Sequence, residues 1–310
     1  NMLSGVLRGL GDSVSALGFL LLAAALNVVL DLWFVRRMGV AGVALATVIS
    51  QGISAVFCYW KLARMGDIFD LNLKTMKLIP AVAGRILRIG IPSGITQAIM
   101  ATAGMVVLNL TNAMGETVIA CNVIVMRVDG FAMLPNMTFG QAMSVYTGQN
   151  VGAQKFDRVH KGVKQGGLIA AGISTGITLI LLFLSPTLFG FFTKTPELID
   201  LATRMIRIMA VGYICISVTQ VLGGVMRGAG DTVTPMWISI ISTILIRVPT
   251  AYIVAYFTKS PKFPHGQPIA LFGSLMFSWV MGMMISVIVF SIGKWKKKMY
   301  AAEPVGPELD

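Results

Sequence analysis

The chain has 310 residues, of which 55% are hydrophobic and only 12% charged, with a formal net charge of +12. A water-soluble protein carries about 25% charged residues, and these apolar residues fall into runs near the ~20 that cross a bilayer as a helix. Disorder, a disulfide scaffold and a soluble enzyme are excluded, and the expected class is an all-α polytopic membrane protein.

In chain order, residues 1–9 read as the tail of one span. Eight full spans follow at 14–35, 40–60, 89–112, 118–148, 166–192, 199–226, 234–257 and 269–293. Lys61, Arg64, Lys74, Lys77, Arg85 and Arg88 fill the long connection after the second full span. Lys155, Arg158, Lys161 and Lys164 follow the fourth, and Lys294, Lys296, Lys297 and Lys298 the last. With Arg8 and Arg227, sixteen cations lie on one side against seven on the other (Arg36, Arg37, Lys194, Arg204, Arg207, Lys259 and Lys262). Cytoplasmic loops carry the excess of Lys and Arg, so the expectation is a multi-pass protein of the inner (plasma) membrane with a cytoplasmic C-terminus. The basic charge then needs no nucleic-acid partner. Cys58, Cys121 and Cys215 lie in apolar runs and read as small core residues. His160 and His265 sit in polar connections and suggest no metal set.

Gly5-Val6-Leu7-Arg8-Gly9-Leu10-Gly11-Asp12-Ser13 recurs as Gly224-Val225-Met226-Arg227-Gly228-Ala229-Gly230-Asp231-Thr232, six of nine positions being identical. Six spans separate the copies, an even number, so the halves are expected to be parallel repeats about an axis along the membrane normal. Arginine stops a span at the surface, the glycines allow a tight turn, and the aspartate suits a helix start. The second copy has a long stretch of spans before its arginine, whereas only seven residues precede Arg8. The repeat therefore predicts roughly 130 further residues and more than three spans in a complete twelve-span form.

Charges at bilayer depth are costly and are functional candidates by default. Asn27 and Asp31 are four apart, hence on one helix face, and present an amide oxygen and a carboxylate. Hard cations such as sodium take oxygen ligands of this kind, and a proton needs a carboxylate. Thr47 on the next span can add a hydroxyl. The alternative is that Asp31 lies near the interface and pairs with Arg36 or Arg37. Asn122, Asp129 and Asn136 recur every seven residues as one polar stripe on a span that Pro135 should kink. They read either as a cavity wall or as interhelical ties. Asp129 is a possible partner of Arg247. Gln97 follows Pro92 in another helix with an expected kink. Gly90/Gly94, Gly172/Gly176 and Gly224/Gly228 read as close-packing pairs.

The paired Leu7-Arg8-Gly9-Leu10-Gly11-Asp12 and Met226-Arg227-Gly228-Ala229-Gly230-Asp231 turns resemble those of the multidrug and toxic-compound extrusion (MATE) antiporters. So do Gly148-Gln149-Asn150-Val151-Gly152-Ala153 with Asp157-Arg158, Gly39 through Thr47, and Arg88 through Gly94. The resemblance covers essentially the whole chain and matches the last two-thirds of the family's length. It implies a two-lobe bundle, six spans plus six. Residues 1–62 would be the remainder of the N-lobe (the end of span 4 and spans 5–6) and 63–87 a cytoplasmic connection. Residues 88–298 would be the C-lobe (spans 7–12), and 299–310 a C-terminal tail. The implied function is secondary active efflux of organic cations or amphipathic drugs in exchange for sodium ions or protons. No other cofactor is implied, and the expected assembly is a monomer surrounded by membrane lipid.

In the family a cation site uses an Asn and an Asp four apart on the fifth span and a Thr on the sixth. Asn27, Asp31 and Thr47 match those positions, with sodium as the metal if the coupling ion is sodium. The family's acidic residue on the first span has no counterpart in this chain. A glutamate that one branch carries in the C-lobe is also lacking, since Thr96 to Met100 holds no acid. The substrate cavity is expected to draw on Gln97, Asn122, Asp129, Asn136 and Arg247. The alternatives are a lipid-linked saccharide flippase of the same superfamily, which would want more cavity cations than Arg127 and Arg247, or a non-functional truncated fragment. An enzyme is not expected, for want of a nucleophile–base pair or metal set at bilayer depth.

Overall fold

A computed structural model describes residues 2–65, 79–261 and 263–300. Lys74, Lys77, Lys262 and the tail Ala301 to Asp310 lie outside the described residues. The fold is all-α and polytopic. The helices are α1 Met2–Gly9, α2 Ser13–Met38, α3 Val40–Ala63, α4 Pro80–Ala113, α5 Glu116–Gly152, α6 Phe156–Gly190, α7 Pro196–Ala210, α8 Gly212–Gly228 and α9 Val233–Ser239. A π-helical segment, Ile240–Arg247, then leads into α10 Val248–Phe257, followed by α11 Ile269–Ile292 and α12 Lys294–Tyr300. Among the described residues seven helical stretches are long and apolar enough to span, and an eighth if the bent pair α7–α8 is taken as one span. Large apolar side chains such as Leu21, Val29, Phe131 and Phe183 are exposed, as lipid-facing positions should be.

The chain divides into two compact units, 1–83 and 84–310. In the first, α2 and α3 form a hairpin around one residue, Gly39, whose φ of +57° suits glycine. Next to it, a Cβ on Gly42 would sit 2.7 Å from the Phe34 backbone, so only glycine permits this approach. The buried face of α3 is Gly42, Ala46, Ser50, Ser54, Cys58 and Leu62, one residue in every four. Small residues at helical spacing let the two helices close without large side chains between them.

In the second unit, α5 and α8 cross at glycines. A Cβ on Gly224 would collide with the carbonyl oxygen of Gly140, and one on Gly228 with that of Ser144 and, at 2.7 Å, with Thr147. Gly224/Gly228 is thus a true contact pair. The same spacing at Gly90/Gly94 and Gly172/Gly176 faces open space, so those two packing expectations do not hold among the described residues. One apolar core gathers Val125, Val128, Leu181, Ile206, Tyr213 and Trp279. A second gathers Val159, Val225, Met226, Trp295 and Met299 beneath α12.

Three spans differ from the apolar-run reading. Helix α4 begins at Pro80, so residues 80–87 of the expected connection are helical. The expected span 199–226 is two helices bent by 44°. The bend falls where the Trp279 ring lies on Gly212, whose Cβ would be 2.6 Å from the ring. The span 234–257 is wound as a π-helix in its middle. Pro249, with no N–H to give, lies just beyond that segment.

Candidate functional site

The first unit holds the proposed oxygen cluster. Asn27 and Asp31 share a face of α2, and Asn27 Nδ2 donates to Thr47 Oγ1 of α3 at 3.4 Å. The Thr47 hydroxyl in turn donates to the Val43 carbonyl at 3.0 Å. Because Asn27 spends its nitrogen on this bond, its amide oxygen remains an acceptor. Asp31 Oδ1 is buried and has no hydrogen-bond partner. The pairing alternative is not realised: among the described residues no ion pair joins Asp31 to Arg36 or Arg37, and Arg37 lies over the Trp33 ring at 5.1 Å. A buried carboxylate oxygen without a donor is costly, and a cation or a proton would satisfy it. The oxygens of Asn27, Asp31 and Thr47 are the donor set a hard cation takes. Among the described residues there is no cluster of three His, Cys, Asp or Glu side chains of the kind that holds a transition metal.

The polar residues of the second unit are engaged differently. Asp129 Oδ1 accepts a 2.6 Å hydrogen bond from the hydroxyl of Tyr213 on α8. Tyr213 is fully buried and packs on Trp279 with ring centroids 5.4 Å apart. No ion pair joins Arg247 to Asp129 among the described residues. The expected Asp129–Arg247 partnership is therefore corrected: the partner in contact is Tyr213, and Arg247 Nε is buried without a hydrogen bond. Asn136 is fully buried and accepts from Ser174 Oγ at 2.6 Å, which makes it a tie between α5 and α6 rather than part of an open wall. Asn122 donates to Met126 Sδ on its own helix at 3.6 Å. Gln97 lies on an exposed face of α4. Thr243, one turn before Arg247, reaches α4, donating to Met100 Sδ at 3.5 Å, and Tyr252 of α10 donates to the Val106 carbonyl of α4 at 3.3 Å. The stripe Asn122, Asp129, Asn136 thus divides among three different partners. The sequence missed Tyr213, which sits in the apolar run Tyr213-Ile214-Cys215-Ile216. Its one signal is the Gly212 before it.

The repeated turn has the same geometry in both units. Gly11 N–H bonds the Arg8 carbonyl and Asp12 N–H the Leu7 carbonyl. Gly230 N–H bonds Arg227 and Asp231 N–H bonds Met226 in the same way. With Gly11 at φ +94° and Gly230 at φ +83°, both are Schellman turns. Each aspartate then accepts the backbone N–H three residues on, Ser15 or Thr234. Each also meets a lysine from beyond the following span: Asp12 with Lys61 at 3.5 Å, and Asp231 with Lys298 at 2.7 Å. Close hydrogen bonds from Ser15 hold the Asp12 carboxyl below the usual carboxylate range, with Lys61 adding to the effect.

The described residues form an all-helical polytopic bundle with an internal repeat, and a carboxylate oxygen of Asp31 lies buried without a donor on one of its apolar helices. The MatE family model matches residues 92–253, just over half of the chain, and the chain belongs to that family. It is 28% identical over 299 residues to the "Probable multidrug resistance protein YpnP" of Bacillus subtilis, covering 96% of this chain and 65% of that protein. It is 24% identical to the "Probable multidrug resistance protein NorM" of Thermotoga maritima, covering 95% of this chain and 63% of that one. Among solved structures it superposes on "MATE in the straight conformation" with a TM-score of 0.85 and 22% identity, covering 95% of this chain and 66% of that chain. "MATE in the bent conformation" matches with a TM-score of 0.83 at 21% identity, covering 96% and 66%. The chain therefore spans about two-thirds or less of the length of these relatives.

Proposed function

We propose that the complete protein is a secondary multidrug efflux antiporter of the inner membrane. It would export organic cations or amphipathic drugs while sodium ions or protons enter through a site at Asn27, Asp31 and Thr47. The observation that carries this reading is the buried, unpartnered Asp31 Oδ1 on the same helix face as Asn27. Family membership and the multidrug names of the relatives support it. The coupling cation neutralises Asp31 and draws on the Asn27 and Thr47 oxygens, so it favours the conformation that brings these groups together. The drug favours the other conformation. Each ligand then displaces the other through the equilibrium between states rather than by direct overlap. On the drug side, Asn122, Asp129, Gln97 and Arg247 remain the polar residues assigned to the cavity. Asn136 is left out because it is fully buried. The excess of cations on that side supports a cytoplasmic position for α12, and the expected working form is a monomer in lipid.

The test is Asp31→Asn in the complete protein, reconstituted in vesicles with an imposed sodium or proton gradient. Fluorescent organic-cation transport should fall to background while the protein inserts at wild-type yield. Wild-type rates in this variant would refute the assignment.

A further inference from the structure

The end of the second unit that carries α12 is a basic surface that the transport reading does not use. Helix α11 stops at Ile292, and Gly293, at φ +76°, turns the chain into α12. The sequence Lys294-Trp295-Lys296-Lys297-Lys298-Met299-Tyr300 is amphipathic. Trp295 and Met299, four apart, are buried. They share a core with Val159 and, at its margin, Phe156 and Val163 at the start of α6. Trp295 Nε1 donates to the Phe290 carbonyl at 3.0 Å, and the Tyr300 ring meets Phe156 edge-on at 4.9 Å. The short helix is thus fixed against the α5–α6 turn.

That turn, Gln154 to Arg158, lines an open groove of about 440 Å³ that includes Lys155, Phe156, Asp157 and Arg158. Two of its lining residues, Lys155 and Arg158, are exposed cations, and further exposed cations follow on the same helix (Lys161, Lys164) and on α12, which packs against Phe156 (Lys294, Lys297). Lys298 is not available, because it pairs with the buried Asp231. The one exposed acid in the turn is Asp157.

We propose that this face binds the phosphate headgroup of an anionic phospholipid. Charge and position select that occupant. Helices α5, α6 and α11 all end here, so the groove lies beside the ends of three spans. Trp295 and Met299 are spent on the protein's own core, which leaves the lysines of α12 facing outward. Basic clusters immediately beside spans attract anionic lipid, each cation adding roughly a fivefold gain in affinity. The proposal stands independently of the Asp31 site, which lies in the other unit.

The experiment titrates the purified protein, in a neutral detergent, with short-chain phosphatidylglycerol, short-chain phosphatidylcholine and inorganic phosphate, counting bound molecules by native mass spectrometry. Phosphatidylglycerol should bind selectively. The variant Lys155→Gln/Arg158→Gln/Lys294→Gln/Lys297→Gln should weaken it by more than about tenfold. A control with the same four positions changed to the other basic residue should keep wild-type affinity, which separates lost charge from lost folding. Lys194→Gln/Lys259→Gln should have no effect. Equal binding of the two lipids, full binding by the four-glutamine variant, or phosphate competing as well as phosphatidylglycerol would each overturn the proposal.

Discussion

The two units treat a carboxylate at membrane depth in opposite ways. In the first, Asp31 Oδ1 is buried without a donor, and its neighbour Asn27 reaches Thr47 through a long 3.4 Å bond. In the second, Asp129 Oδ1 is held by a 2.6 Å hydrogen bond from Tyr213 on another helix. A carboxylate oxygen that already has a donor needs no cation at that position. One left without a donor is poised for a cation or a proton, because the ligand then removes an existing cost. The difference teaches where to look for cation coupling, and composition alone could not have ranked the two aspartates.

The comparison can be broken most severely at the frame of the second unit. Gly228→Leu places a side chain against the Ser144 carbonyl and Thr147. It should cost about 3 kcal/mol or more, read as loss of folded protein on size-exclusion and thermal unfolding in detergent. A milder cut is Tyr213→Phe, which strips Asp129 of its donor. It should lower stability by about 1 kcal/mol, the upper part of the range for interhelical hydrogen bonds in membranes. By contrast, Thr47→Val should change stability by less than about 0.5 kcal/mol, because its bond to Asn27 is long and exposed. It should still weaken cation-driven transport. Equal stability losses from Tyr213→Phe and Thr47→Val would erase the distinction between the held and the unheld carboxylate.

The smallest effect concerns the turn that both units share. The Asp12 carboxyl is held below its ordinary range in the folded protein. Its contribution is therefore complete above the ordinary carboxylate pKa and disappears as pH falls through the lowered folded value. Wild type should melt slightly above Asp12→Asn at neutral pH, and the gap should close in acid, below the usual carboxylate range. A gap that widens in acid would reverse the sign.

Much of this was legible in advance because it is local. Apolar runs marked the spans, and the repeated Arg-Gly-x-Gly-Asp predicted two turns that prove to share every backbone hydrogen bond compared. A four-residue step placed Asn27 and Asp31 on one face. What depends on distant partners was hidden. The bend at Gly212 is set by Trp279, 67 residues later, and the donor to Asp129 lies 84 residues along the chain. Identical glycine spacing packs at Gly224/Gly228 and faces open space at Gly172/Gly176, because the neighbour, not the spacing, decides. That Asp31 Oδ1 has no donor is hidden for the same reason: a missing contact leaves no mark in a sequence.

The most direct measurement sets Asp31→Asn beside Asp129→Asn in the complete protein, in vesicles, with organic-cation transport driven by an imposed sodium or proton gradient and melting temperature recorded on the same samples. Asp31→Asn should abolish gradient-driven transport and leave melting unchanged or raised. Asp129→Asn should lower melting while retaining dependence on the gradient. The reverse pattern, with coupling lost at Asp129 and kept at Asp31, would contradict the account.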